Sequence, residues 1–358
     1  MTDEAVALRS PAPRLDLAGL GARAAAWVVL AGGVLAIAGT GPNITGYAIT
    51  AAIYVLVGLS LNIILGYVGQ LSLGHQAFVG TGALFAAYLS KAEGLPFVAD
   101  VVIGGLAGAA LALVIGFVAL RIRGLYLALV TLVVGITLQG SLFEVPALTG
   151  GGAGESADRP SVLLSNGRYY LVCVAVCVAV FYVDARLERS KAGRALLAIK
   201  EDERVAFSFG IDVMGYKLLA FVLSGLIAGV AGGLFAFATQ QFNGNDFSFQ
   251  LALTFVLMTV VGGAGSRVGV AVGSIIFALL HTVVSHAGPF VSFAHLFPSS
   301  VAGNVLQFGP DLIGAFLLLL TLAFNPGGLA QQLKPVSRWM VGGPFRLHEQ
   351  PVVAGGRR

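Results

Sequence analysis

Residues 46–68 read GYAITAAIYVLVGLSLNIILGYV and contain no Asp, Glu, Lys or Arg. A membrane-spanning helix needs about 20 consecutive, mostly apolar residues, and this stretch supplies them without a break. Working outward, comparable stretches fall near 24–40, 72–90, 98–120, 125–145, 169–187, 217–240, 248–264, 268–288 and 310–325. The third and the ninth of the ten are short or interrupted by glycine. The whole chain agrees with the local reading: of 358 residues 57% are apolar, only 11% are charged, and mean hydropathy is +0.89. Soluble domains carry about 25% charged residues, so too little charge is present to cover a water-facing surface. Disorder and nucleic-acid binding both need dense charge and are excluded. The expected fold is an all-α polytopic integral membrane protein of about ten transmembrane helices, eight at the fewest.

Charge placement orients the chain. With ten spans and a cytoplasmic N-terminus, only Lys91, Arg159 and Arg168 of the 21 basic residues fall outside. The remainder face the cytoplasm, as the positive-inside rule requires, so both termini are expected there. Residues 1–23 read as a polar cytoplasmic tail rather than a cleavable leader, 24–328 as one membrane domain, and 329–358 as a cytoplasmic C-terminal tail. No basic group is expected deep in a span. The acidic residues Glu93, Asp100, Glu144, Glu155, Asp158, Asp246 and Asp311 fall in outer loops or at span ends. Ion-coupled transporters usually carry a carboxylate inside the membrane, so this distribution argues against one.

Glycine is abundant, 49 of 358 residues, roughly twice average usage. Without a Gly-X-Y period, that points to close helix packing in lipid. Two clusters interrupt apolar runs. In 66–82, GYVGQLSLGHQAFVGTG, five glycines surround Gln70, Ser72, His75 and Gln76 at membrane depth. Irregular backbone there is tolerated only inside protein or along a wet cavity, so Gln70, Ser72 and His75 are the candidate pathway residues; hydrogen bonding between packed helices is the simpler alternative. A related pattern, GGAGSRVGVAVG, occupies 262–273 and enters its span from the same side, as a parallel internal duplication would.

The longest interior polar stretch is 184–217. Within it, Ala195, Leu196, Ala198 and Ile199 with Val205, Ala206 and Phe207 suit one short amphipathic helix, which Gly210 would stop. Such a helix can dock a partner or simply connect two spans. Cys173 and Cys177 share one helix face and read as small apolar side chains rather than a redox pair. No zinc-ligand spacing, nucleophile triad or Gly-x-x-x-x-Gly-Lys-Ser/Thr motif occurs. No cofactor, metal or catalytic residue is therefore expected in this chain.

Six stretches in order resemble the membrane permeases of bacterial branched-chain amino acid ABC importers, particularly the larger of the two paired permease types. They are 66–82, 121–132 (RIRGLYLALVTL), 149–154 (TGGGAG), 193–221 (GRALLAIKEDERVAFSFGIDVMGYKLLAF), 260–273 (VVGGAGSRVGVAVG) and 325–329 (NPGGL). The resemblance implies an inner-membrane, multi-pass permease subunit, not an enzyme. Its partners would be a homologous second permease, two ATPase subunits that use ATP, a periplasmic solute-binding protein and membrane lipid, with no nucleic acid. It further implies that 188–216 is a coupling segment on the ATPases, with Gly193, Arg194, Ala198, Glu201, Asp202, Glu203, Ala206 and Gly210 in the contact region. The family commonly has Asp where this chain has Leu125, Glu near Ile136, Tyr near Leu84 and Pro near Val270. If the missing carboxylates face the pathway, the solute is a different or less cationic one. Branched-chain amino acids, or urea, short amides or aromatic compounds, are the implied solutes; a transporter working alone is the rival class.

Overall fold

The computed structural model describes residues 29, 31–119, 124–145, 155–286, 313, 316 and 328–330. The chain divides into two compact units, residues 37–334 and the two ends, 1–36 with 335–358. Of the second unit only Val29 and 31–36 are described, the latter helical. The N-terminal tail, the C-terminal tail beyond Ala330, the 310–325 span apart from two residues, the Thr149–Gly154 motif and most of the NPGGL motif lie outside the described residues.

The larger unit is built of helices. In chain order these are α1 (Pro42–Asn62), α2 (His75–Glu93), α3 (Phe97–Ala119), α4 (Leu125–Gln139), α5 (Asn166–Arg189) and α6 (Lys191–Glu201). After them come α7 (Glu203–Ser208), α8 (Val213–Thr239), α9 (Phe249–Gly262) and α10 (Arg267–His286). Among the described residues, four segments are long and apolar enough to cross a membrane: Pro42–Val68, Phe97–Phe117, Asn166–Arg189 and Val213–Thr239. Tyr126–Gln139, Phe249–Gly262 and Arg267–Leu280 are shorter apolar helices. The expected 125–145 span thus ends as an α-helix at Gln139, and Leu142–Glu144 is a separate 3-10 turn. Two two-residue strands, Glu155–Ser156 and Gln241–Phe242, pair antiparallel.

Glycine does in the bundle what its abundance suggests. Gly225, Gly229 and Gly232 recur along one face of α8. A Cβ on Gly229 would overlap the carbonyl of Gly104, and one on Gly232 the carbonyl of Val79. Gly82 meets the Gly229 backbone, and Gly108 the Gly225 carbonyl, so α2, α3 and α8 touch backbone to backbone. Lipid tails are as apolar as Leu, and dispersion contacts from such close approach hold membrane helices together. The outward faces of α3 and α4 stay apolar and exposed, with Val98, Leu106 and Val114 on one and Tyr126, Val133 and Ile136 on the other.

The two ends of the bundle differ. At one end Lys91 pairs with Glu155 at 3.3 Å. There Arg159 also caps the last turn of α8 through the carbonyls of Phe237 and Ala238. The opposite end carries Arg186, Arg189, Lys191, Arg194, Lys200, Arg204, Lys217 and Arg267, and is the charged end. Cys173 is buried and Cys177 half-buried, both as free thiols, and the Cys177 thiol donates to the Ala52 carbonyl at 3.2 Å.

Candidate functional site

The first Gly-rich interruption begins just beyond α1. Ile63–Val68 continues α1 as a π-helix, and Gly69 stops it at φ +73, in the left-handed region that glycine enters freely. An irregular loop, 69–74, then leads to α2. It is clamped from above: a Cβ on Gly74 would overlap the Thr131 carbonyl of α4, and the Thr131 hydroxyl accepts from the Leu73 N–H at 3.0 Å. The second interruption, 263–266, meets the first directly. Asn62 Oδ1 accepts a hydrogen bond from the Gly265 N–H at 2.7 Å. Both Gly-rich turns therefore lie at the charged end, on the same side as their sequences suggested.

The candidate pathway residues fall around this loop but in different settings. Gln70 borders an open cleft, whereas Ser72 and His75 are completely buried. His75 Nε2 lies 2.6 Å from the Ser60 hydroxyl of α1, and its ring meets Phe78 edge to face. Several neighbouring buried polar atoms have no hydrogen-bond partner among the described residues: Gln70 Oε1, Ser72 Oγ, His75 Nδ1, both polar atoms of Gln76 and Asn62 Nδ2. Leaving such groups unpaired is costly, so the arrangement suits polar atoms that exchange partners with water or a passing solute. Gln76 belongs with this group, and its place beside His75 in the sequence was the available signal.

The segment expected to form one amphipathic helix forms two. Asp202 ends α6 and opens α7, its carboxylate accepting the N–H groups of Arg204 at 2.7 Å and Val205 at 3.1 Å. Asp as an N-cap competes with helix continuation because its side chain offers the backbone another partner. Those same N–H groups, Val205 first, hold the Asp202 carboxyl below the usual carboxylate range. Ser190 caps the start of α6 at the Gly193 N–H.

One face of the pair is locked to the bundle. Leu196, Ile199 and Ala206 pack with Ile63, Tyr67 and Val68 of the π-turn after α1 and with Ala220 and Ile227 of α8. Lys200 donates to the Gly66 carbonyl at 2.8 Å, and Lys217, almost wholly buried, pairs with Glu203. The candidate contact residues accordingly divide. Gly193 is buried against the carbonyls of Leu187 and Glu188, Ala206 is buried, Ala198 is half-buried and Glu203 faces Lys217. Arg194, Glu201, Asp202 and Gly210 are exposed. Val205, Phe207 and Phe209 are exposed too, the two rings at 73% and 81%. Phe209, Val205 and Ile211 with Glu201 and Asp202 line a shallow groove of about 330 Å³.

The expectation that ionisable groups stay out of the interior needs correcting. Asp184 and Lys217 are both buried. Asp184 Oδ2 accepts from the Tyr67 hydroxyl at 2.8 Å and lies 3.8 Å from Arg267 Nε, while Arg267 Nη1 reaches Glu188 at 2.5 Å. Sequence position misled because both residues sit near helix ends, where the amphipathic pair and the α9–α10 turn fold over them. Leu84 and Val270, two departures from the family pattern, are buried, whereas Ile136 is about half exposed on the outer face of α4.

The family model for the branched-chain amino acid transport system / permease component matches residues 43–323. The chain is 32% identical over 311 residues to the high-affinity branched-chain amino acid transport system permease protein LivM of Escherichia coli K12, covering 79% of this chain and 69% of that one. It is 28% identical over 171 residues to a probable branched-chain amino acid transport permease protein LivM of Methanocaldococcus jannaschii, covering 47% of each. It is also 26% identical over 153 residues to the nucleoside ABC transporter permease protein NupC of Lactococcus lactis, covering 42% of this chain and 45% of that one. The apolar helices and the extent of the family match lead to one conclusion: this multi-pass membrane chain belongs to the branched-chain amino acid transport system permease component family.

Proposed function

We propose that this chain is one of two homologous permease subunits of a bacterial ATP-driven importer. In this reading it crosses the inner membrane about ten times, with 24–328 as the membrane domain and both tails in the cytoplasm. Two separate ATPase subunits bind and hydrolyse ATP beneath it, and a periplasmic binding protein delivers the solute. The solute is a branched-chain amino acid or a similar small molecule, and Gln70, Ser72 and His75 border its route. Family membership supports the general reading, and the relative named for nucleosides is a reason to keep the solute class broader than one amino acid type.

The observation that carries the coupling role is the two-sidedness of α6 and α7. Their inner face is buried against the π-turn after α1 and against α8, while Val205, Phe207 and Phe209 stand in the open beside Glu201 and Asp202. An exposed apolar cluster rimmed by charge is suited to a protein partner. ATP binding there would shift the permease between states only through contacts that differ between them. Glu201→Lys and Phe209→Asp are each expected to reduce ATPase co-purification and ATP-driven uptake while leaving membrane insertion intact. Glu203 is unsuitable for this test, because its loss would strand the buried Lys217. Undiminished co-purification and uptake in both variants would rule out the docking role. Uptake that persists in vesicles stripped of ATP and ATPase would instead support a transporter acting alone.

A further inference from the structure

Of the four long apolar segments, α5 is the least covered by the rest of the bundle, with 17% of its apolar window buried. Its inner face is occupied. The Cys177 thiol bonds the Ala52 carbonyl of α1, Asp184 holds Tyr67, and Glu188 holds Arg267. The other face runs through Leu171, Ala175, Val178, Tyr182, Arg186 and Arg189, and all six are exposed. Steps of three and four residues keep them in one row along the helix.

The row changes character along its length. From Leu171 to Tyr182 it covers about 16 Å of helix, close to half of the hydrocarbon thickness of about 30 Å. Tyr182, 58% exposed, ends the apolar part, as aromatic rings do at a membrane–water boundary. Arg186 lies one turn further on. Its Nε donates to the Tyr182 hydroxyl at 2.9 Å, and its guanidinium carbon sits 5.2 Å from the centre of that ring. Both terminal nitrogens are left for an acceptor outside the chain. Arg189 follows in the row, and Arg194 Nη1 donates to the Arg189 carbonyl at 3.0 Å, which brings a third guanidinium to the same helix end.

Charge is sorted around this end. The two carboxylates, Asp184 and Glu188, both turn inward to Arg267. Glu188 is the one acidic residue between positions 185 and 200. Among the described residues, Arg186, Arg189, Lys191 and Arg194 have no ion-pair partner, and all four are exposed.

We infer that the outer face of α5 binds one anionic phospholipid, with an acyl chain along Leu171–Tyr182 and the phosphodiester on Arg186 and Arg189. Guanidinium groups grip phosphate oxygens in a fork. A headgroup carrying an ammonium group is disfavoured, because the outward charge is wholly positive. Each Lys or Arg near an anionic membrane surface contributes about 1 kcal/mol, or about fivefold in binding. The inference goes beyond the importer reading and needs only that this end of α5 meets a membrane surface. The bound headgroup would anchor the chain immediately before Ser190, where α6 turns away.

The test uses the full chain in its native complex, stripped of lipid in detergent and titrated with phosphatidylglycerol or phosphatidylethanolamine. Bound lipid is counted by native mass spectrometry. Phosphatidylglycerol is expected to bind at least about tenfold more tightly than phosphatidylethanolamine, and glycerol 1-phosphate, which has no chains, should not displace it. Arg186→Gln with Arg189→Gln should weaken that binding about 25-fold, whereas Arg186→Lys with Arg189→Lys should retain most of it. If the double Gln variant does not assemble, Arg189→Gln alone, with an expected loss of about fivefold, decides. Equal binding of the two lipids, or equal phosphatidylglycerol binding by the native and Gln proteins, overturns the site. Gln variants that keep the lipid but lose the ATPase subunits would assign the arginines to a protein contact and overturn it too. Displacement by glycerol 1-phosphate would overturn the lipid in favour of a soluble phosphate ester.

Discussion

Asp202 turns one expected helix into two with a single side chain. Its carboxylate holds the N–H groups of Arg204 and Val205, so the break depends on its ionisation. The bonded carboxyl sits below its ordinary range, while an unfolded Asp titrates near about 3.9. The contribution is therefore fully present above that ordinary value and is lost as pH falls through the lower, folded one. Asp202→Ala is expected to raise amide exchange across residues 203–208 at neutral pH, and Asp202→Asn, another good N-cap, to preserve protection. With Asn the protection should no longer fall in acid; the exchange rates of the three proteins across pH check both points. The residue's chemistry was legible in the sequence, since Asp suits a cap. Its position was not, because the apolar spacing on either side favours one continuous helix and nothing local shows that Ile199 and Ala206 must reach the same core.

Close packing in the bundle follows from glycine. The helices of the centre, α2, α3 and α8, meet through it with almost no side chain between them. A bulky residue at such a contact has nowhere to go, because the neighbour is backbone rather than a flexible side chain. Gly229→Leu is expected to separate α8 from α3 and cost about 1–3 kcal/mol or more, seen as a lower midpoint of thermal unfolding in detergent. Leu226→Ala, on the same helix but half-buried, should shift that midpoint less. Glycine content alone signalled close packing. Which glycines face which helix was not legible, since both faces of α8 are apolar.

The bundle as a whole is polar at its two ends in different ways. Basic residues gather around α6, α7 and the α9–α10 turn, while the far end uses Lys91 and Arg159 to tie down its loops. The count of Lys and Arg made this asymmetry readable before any contact was known. It missed the buried Asp184 and Lys217, whose burial comes from parts of the chain folding back. Single cysteines replacing Glu201 and Ala264 are expected to react from one face of the membrane, and one replacing Asn245 from the other. Labelling of all three from one face would overturn the orientation. The Ile63–Val68 turn lies where these connections converge: Gly66 receives Lys200, and Asn62 holds Gly265. A π-turn winds more residues into each turn than an α-helix does. Passing its extra residue along the helix would rotate the next stretch of chain by about 100°, one α-helical step. That stretch carries Gln70 and Ser72, so the π-turn is the joint at which the α6–α7 side of the chain meets the buried polar groups.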